Sequence, residues 1–398
     1  MKERVLALCS SVMPGFYRLT VIFLISHFLT FNVEKNVNLF VFITGLCMFT
    51  SLGLSISLIK STSGEKNTLL KNSVYFTHLS TLILISAAVI IIVSFFDFFE
   101  LKEIGSVFLL LISLGCFQLE RHFYLSDKNM KCLFYLDLLL IILTVCAFVI
   151  FGSENGINII SFSNVIIVLI SWFFSKRFKK KNVDIVNKEV TLTGIKLGYS
   201  NLISSGVMYI LPMLMLSVAS EKLVSIFSMV VTISGIILVF PRAALNTKIQ
   251  KLAEDARSGF VSKGYYQQSN KIIRNICIAA YPLSIIASVI YLFFNGINIF
   301  QVEPKMLIVI AVMLLMLLVG QLSLIDSMLI IFLNREMIAL KYNTITFMSV
   351  IICYLIFSNL DLGGQFSIEL MLIILSIILI CYLVRFGIFR RNINFFVS

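Results

Sequence analysis

The stretch SSVMPGFYRLTVIFLISHFL (residues 10–29) is apolar along most of its length, yet it carries an arginine near its middle. About 20 mostly apolar residues are enough for a helix to cross a bilayer. If this span begins near Val5, Arg18 lies roughly 20 Å into it, at about 1.5 Å per residue. A charge at that depth costs at least about 2.5–3.5 kcal/mol. Arg18 is therefore expected to face an anionic ligand, a buried partner or water.

The composition of the whole chain extends this membrane assignment to nearly all of its 398 residues. Hydrophobic residues make up 59% and charged residues only 13%, against roughly 45–50% and about 25% in a soluble domain. The sequence therefore predicts an all-α polytopic membrane protein. Twelve apolar stretches are long enough to span a bilayer: 5–31, 38–59, 74–96, 104–120, 132–151, 157–175, 194–218, 223–241, 275–294, 306–333, 342–359 and 367–384.

The basic residues predict the orientation of these spans. With both termini in the cytoplasm, cytoplasmic segments hold 27 of the 32 Lys and Arg residues, as the positive-inside rule requires. Four lie outside: Lys35, Lys102, Lys222 and Lys305. The net charge of +12 thus reports topology and attraction to anionic membrane lipids. No nucleic-acid partner is expected, because the charge is spread over separate loops.

Two classes of chemistry are disfavoured. The eight cysteines form no CxxC pair and the three histidines are scattered, so no metal or cofactor is expected. Every loop on the outside is short, which leaves no room for the large outer loop that membrane polymerases and lipid-dependent glycosyltransferases use for acid–base chemistry. The chain is therefore not expected to be an enzyme.

Two halves of six spans each are predicted, residues 1–180 and 181–398, divided at the basic segment after Trp172. FYLSDKNMKCLFY, between spans four and five, resembles IFLNREMIALKYN, between spans ten and eleven. The first span of each half is unusually polar and contains a proline, Pro14 or Pro212. Since six is even, the halves have parallel topology and are expected to be related by a pseudo-twofold axis along the membrane normal.

These two polar spans supply the candidates for lining a cavity. Small or polar side chains recur at i, i+4 and i+7, which places them on one helical face with Arg18 in the first span. The candidate substrate-binding residues are Arg18, Ser11, Tyr17, Asn201 and Ser205. Small residues also bring membrane helices into close contact, and that alternative remains open for both spans.

Other ionisable residues have two interpretations each. Asp326 and Asp137 lie inside predicted spans, where a carboxylate either couples transport to a proton or ion, or pairs with a neighbouring side chain. Lys60, Arg121, Lys196 and Arg242 lie at cytoplasmic span ends. They either record topology or form a cytoplasmic vestibule for an anionic head group.

The organisation of the chain, together with FTSLGLSISLIKS (residues 49–61) and FPRAALNTKIQKLAEDA (residues 240–256), resembles the Wzx-type polysaccharide or O-antigen flippases. These belong to the multidrug/oligosaccharidyl-lipid/polysaccharide exporter superfamily. Many relatives have an aspartate before the Gly-Leu pair, where this chain has Ser51 and Leu52, so the resemblance implies no coupling role for the second span.

The resemblance implies a transporter of the bacterial inner membrane that moves undecaprenyl-pyrophosphate-linked oligosaccharide from the cytoplasmic to the outer leaflet by alternating access. It implies that Arg18 meets the pyrophosphate, and that a polysaccharide polymerase and a chain-length regulator are partners. The main alternative is a drug or cation antiporter of the same superfamily, which would need carboxylates in the core of the first half. A membrane polysaccharide polymerase is a weaker alternative.

Overall fold

The computed structural model describes sixteen parts of the chain, and the structural statements below refer to them. They are residues 2–62, 68–94, 103–127, 129–152, 156–175, 188–215, 220–237, 239–246, 248, 252, 255, 261–295, 297, 304–333, 335–359 and 367–394. Packing divides the chain into two compact units, Met1–Met213 and Leu214–Ser398.

The first unit consists of helices formed by the apolar stretches. In two of these stretches a short π-helical turn lies between two α-helices. Its helices are α1 (Lys2–Phe28), α2 (Val33–Cys47), α3 (Gly53–Thr62), α4 (Thr68–Ser94), α5 (Ile104–Ser126), α6 (Met130–Phe151), α7 (Gly156–Ser175), α8 (Lys188–Asn201) and α9 (Val207–Met215). A π turn over Met48–Leu52 joins α2 to α3, and another over Leu202–Gly206 joins α8 to α9.

The second unit is helical in the same way. Its helices are α10 (Glu221–Ile237), α11 (Val239–Asn246), α12 (Lys263–Phe294), α13 (Pro304–Leu322), α14 (Leu324–Phe332), α15 (Glu336–Asn359) and α16 (Ser367–Asn394). No β-strand occurs among the residues that the structure describes.

The predicted class, an all-α polytopic membrane protein, is confirmed. Helix is present at each of the twelve predicted positions. Among the described residues, ten of these segments are long and apolar enough to cross a membrane, and the first span contributes the shorter apolar stretch Val12–Phe28.

The seventh span packs with the first unit, so the division by packing falls after Met213, whereas the sequence places the boundary between the halves at residue 180. Close glycine contacts explain this packing. A Cβ atom at Gly53 would overlap the backbone of Gly194 and Gly198, and one at Gly198 would overlap the carbonyl of Phe49. Gly194 and Gly198 form a small-xxx-small pair, which lets two helix backbones approach closely.

Both π turns lie beside this glycine contact, one directly before Gly53 and one a few residues after Gly198. A π turn inserts one extra residue into a helix and so rotates the next helical segment about the axis. The contact and the turns together position α9, and with it Tyr209, beside the first span. The predicted halves of 1–180 and 181–398 and their pseudo-twofold relation remain predictions.

Candidate functional site

Arg18 lies in α1, one helical turn after Pro14, and its side chain is half-buried. Its Nε donates to the carbonyl of Pro14 at 3.2 Å. Its Nη1 donates to the hydroxyl of Tyr209 at 2.9 Å, and the guanidinium carbon lies 5.6 Å from the centroid of the same ring. The first and seventh spans therefore meet at this arginine.

All of these contacts are to neutral groups. Among the described residues, Arg18 takes part in none of the ion pairs, which are formed by Lys35, Lys71, Arg121 and Lys305. A guanidinium has five N–H donors, and two of those on Arg18 are used. The remaining donors and the uncompensated charge suit a phosphate or carboxylate, which a guanidinium binds through paired hydrogen bonds.

The other cavity candidates differ in their surroundings. Tyr17 is buried, and its hydroxyl accepts a hydrogen bond from Nδ2 of Asn164 at 2.9 Å. This bond joins α1 to α7, so Tyr17 packs inside the unit. Asn201 ends α8 and is half-buried, and its carbonyl accepts from the Ser204 hydroxyl at 3.3 Å.

Two cavity candidates and one vestibule candidate have side chains outside the part that the structure describes. Ser11 lies in α1, Ser205 in the π turn of the seventh span, and Lys60 in α3. The side chains of Lys196 in α8 and Arg242 in α11 are exposed. Their roles as a vestibule stay predictions.

Arg121 and Asp137 form a buried ion pair between α5 and α6, with 6% and 3% of their surface exposed. Nε of Arg121 donates to Oδ1 of Asp137 at 2.7 Å and Nη2 donates to Oδ2 at 3.1 Å. Of the two interpretations of Asp137, the geometry favours ion pairing. The Arg121 guanidinium also donates to the Ser10 carbonyl, and its predicted role in a cytoplasmic vestibule stays a prediction.

Glu120, the residue before Arg121, is fully buried and was not singled out from the sequence. Its Oε1 accepts from Nε1 of Trp172 at 2.6 Å and its Oε2 accepts from the Ser171 hydroxyl at 2.9 Å. Nε1 of Trp172 also lies 2.9 Å from the hydroxyl of Tyr75. The run of three ionisable residues, Glu-Arg-His at 120–122, is the sequence signal that could have identified this cluster.

Asp326 lies in α14 of the second unit and is fully buried. Its Oδ1 accepts from the Tyr266 hydroxyl of α12 at 2.7 Å. Both predicted interpretations, coupling and local pairing, are compatible with these surroundings.

Arg385 is a second half-buried arginine and was not expected from the sequence, because the predicted twelfth span ended at residue 384 whereas α16 continues to Asn394. Its Nη1 donates to Oδ1 of Asn343 at 3.0 Å. Its Nη2 lies 3.3 Å from the carbonyl of Gly320 and from the hydroxyl of Ser323. Arg385 thus contacts the interruption between α13 and α14.

Among the described residues, no group of three or more His, Cys, Asp or Glu side chains is arranged to hold a metal ion. The clusters consist of a half-buried guanidinium at Arg18 and of carboxylates held by hydrogen bonds or an ion pair at Glu120, Asp137 and Asp326.

Comparison with known proteins identifies the fold. No family model matches the chain, and no curated protein matches it. Solved structures do match over nearly the whole length. One is the inward-facing conformation of a multidrug resistance MATE family transporter of the MOP superfamily, with 12% identity, a TM-score of 0.63, and coverage of 98% of this chain and 94% of that one.

Two further structures give the same result. A MATE protein in complex with MaL6 has 13% identity and a TM-score of 0.59, covering 98% of this chain and 95% of its own. The outward-facing conformation of a multidrug resistance MATE family transporter has 11% identity and a TM-score of 0.58, with coverage of 99% and 95%. The chain therefore has the fold of MATE transporters of the MOP superfamily. A shared fold does not identify the substrate.

Proposed function

We propose that the protein is a flippase that moves undecaprenyl-pyrophosphate-linked oligosaccharide from the cytoplasmic to the outer leaflet of a bacterial inner membrane, for O-antigen or another surface polysaccharide. The observation that carries this proposal is Arg18. It lies on a membrane-spanning helix, is half-buried, and contacts only neutral groups among the described residues.

The chemistry of Arg18 favours an anionic cargo. An uncompensated charge within a membrane span is costly, and an anion that pairs with it recovers part of that cost. Pyrophosphate offers several oxygens in the spacing of a guanidinium fork. A cationic drug would instead be repelled by Arg18, which is why the flippase is preferred to the antiporter.

In the proposed cycle, the two halves of the chain expose the binding site alternately to each side of the membrane. The pyrophosphate and sugars cross along the polar first and seventh spans while the lipid tail stays in the bilayer. Both termini are cytoplasmic in this proposal. A polysaccharide polymerase and a chain-length regulator would receive the cargo on the outer side. Asp326 is the proposed coupling residue if a proton or cation drives the cycle.

A drug or cation antiporter is the second candidate, and the buried Glu120 favours it. The sequence disfavoured an antiporter because carboxylates are scarce in the core of the first half. Glu120 supplies one that is fully buried there, whereas Asp137 is neutralised by Arg121. The fold alone is compatible with both functions.

The deciding experiment uses the native host with the gene deleted. We expect lipid-linked oligosaccharide to accumulate on the cytoplasmic leaflet, and rescue by the wild-type chain but not by Arg18→Ala. Lys305→Ala is the matched control, because this lysine is exposed and forms its ion pair with Glu369, far along the chain from Arg18; it should rescue fully. Unchanged lipid-linked intermediates and surface glycan in the deletion strain would reject the flippase, and cation and drug efflux would then be measured.

A further inference from the structure

Pro14 leaves one backbone carbonyl of α1 without its usual hydrogen-bond donor. In an α-helix, the carbonyl of Ser10 accepts a hydrogen bond from the N–H of residue 14. Proline has no N–H, so that bond is missing wherever proline lies inside a helix. Pro14 lies inside α1, and Ser10 is buried, with 1% of its surface exposed. A buried carbonyl without a donor is unfavourable, most of all where no water is present.

Arg121 supplies the donor that Pro14 lacks. Its Nη2 donates to the carbonyl of Ser10 at 2.8 Å, across a sequence separation of 111 residues. Asp137 holds the same guanidinium through two further bonds, at 2.7 and 3.1 Å. One arginine thus links three spans, α1, α5 and α6.

The same proline is also bonded to Arg18. Nε of Arg18 donates to the carbonyl of Pro14 at 3.2 Å. A series of contacts therefore connects Asp137 to Arg18. It runs from Asp137 to Arg121, from Arg121 to the Ser10 carbonyl, and along one turn of helix to the guanidinium proposed to bind the anion.

We propose that Arg121, held by Asp137, is a positioning residue that completes the hydrogen bonding of the first span at Pro14 and so determines where Arg18 lies. The alternative is that the ion pair only joins α5 to α6. The consequence for anion binding rests on the proposed function, whereas the effect on the first span does not.

Arginine suits this task and lysine does not. The planar guanidinium binds both carboxylate oxygens and still has a free N–H directed elsewhere. The ammonium nitrogen of lysine corresponds in chain length to the arginine Cζ, so it can keep the carboxylate paired but ends one bond short of the Nη2 position that reaches the Ser10 carbonyl. Arg121→Lys therefore separates the two roles while leaving Asp137 with a counter-ion, which protects folding.

The test measures deuterium exchange of the purified full-length protein over residues 10–18, in a cycle of four variants: wild type, Arg121→Lys, Pro14→Ala and the double variant. We expect Arg121→Lys to speed exchange about tenfold in the wild-type background, since a charge-assisted hydrogen bond is lost. With Pro14→Ala, the new N–H takes the Ser10 carbonyl, and Arg121→Lys should change exchange less than about twofold.

Arg385→Lys is the matched control. It alters an arginine that also donates to a backbone carbonyl, in the second unit, and it should leave residues 10–18 unchanged. If Arg121→Lys has no effect on these residues, or has the same effect with and without Pro14, the proposal is overturned.

Swapping the two residues of the ion pair provides an independent check should Pro14→Ala not fold. Arg121→Asp with Asp137→Arg keeps the ion pair but moves the guanidinium to α6. Faster exchange over residues 10–18 is expected, and exchange equal to that of the wild type would contradict a positioning role.

Binding of farnesyl pyrophosphate is then compared between wild type and Arg121→Lys. A wild type that does not bind this probe rejects the proposed function, while the exchange cycle still decides the positioning role.

Discussion

Arg18 and Arg121 lie in the same unit, both on membrane-spanning helices, yet their surroundings are opposite. Arg121 is buried and holds Asp137 through two hydrogen bonds. Arg18 is half-buried, donates a hydrogen bond to the Tyr209 hydroxyl, and has no carboxylate partner among the residues described. The charge of Arg121 is compensated by a carboxylate of the protein, whereas the charge of Arg18 is available to an anionic ligand.

The difference shows two ways of keeping an arginine in a membrane. A buried pair recovers its desolvation cost through close geometry and additional hydrogen bonds, and it is costly to break. An unpaired arginine on a polar span keeps its charge available to a ligand and to water. The first arrangement is expected to matter for stability and the second for transport.

Removing a partner from the buried pair should have the largest effect on folding. Asp137→Ala leaves Arg121 buried without its carboxylate, and a loss of about 3–5 kcal/mol is expected. Arg18→Ala breaks no ion pair among the described residues and should change the unfolding temperature little. Thermal unfolding followed by size-exclusion chromatography would measure both. Equal losses of folded protein would show that the two arginines do not differ in this way.

Tyr209→Phe should have an intermediate effect, on transport alone. It keeps the ring beneath the guanidinium but removes the hydroxyl that accepts from Nη1 of Arg18. One hydrogen bond to a charged group contributes about 1.5–3 kcal/mol, which corresponds to a loss of roughly tenfold or more. Transport of lipid-linked oligosaccharide in reconstituted vesicles should fall by that factor, with normal thermal stability. Tyr17→Phe is the comparison, because this hydroxyl bonds Asn164 and not Arg18.

The smallest effect is expected at the ion pair between Lys71 and Asp127, whose Nζ–Oδ1 distance is 2.5 Å. The Asp127 carboxylate is 35% exposed and the Lys71 side chain 11%, and a pair with one solvent-exposed partner is expected to contribute about 1 kcal/mol or less. Lys71→Gln should therefore shift the unfolding temperature far less than Asp137→Ala, and less again at high salt. A loss as large as that of Asp137→Ala would mean that burial does not separate the two pairs.

Much of the fold was predictable because it depends on local composition. Apolar length predicted helix at all twelve positions. The last helix extends ten residues beyond the predicted span end at 384, to Asn394. Within this extension, Arg385 donates to Oδ1 of Asn343 and to the carbonyl of Gly320.

The candidate site was only partly predictable. Arg18 was identified because a charge at that depth is conspicuous in one dimension. Glu120 was missed because its partners, Trp172 and Ser171, are about 50 residues away in sequence. Tyr17 shares a helix with Arg18, but its hydroxyl turns towards Asn164, and residue type alone does not specify that direction.

The sequence by itself determined the class of protein, the presence of helix at the twelve predicted positions, and the presence of an arginine within the first predicted span. These follow from hydrophobicity and helix length, which are properties of consecutive residues. Only the tertiary structure decided which arginine is paired, that Arg121 serves the carbonyl released by Pro14, and that the seventh span packs against the second through Gly53 and Gly198. Those outcomes depend on hydrogen bonds and close contacts between residues far apart in the chain, which helix periodicity does not encode.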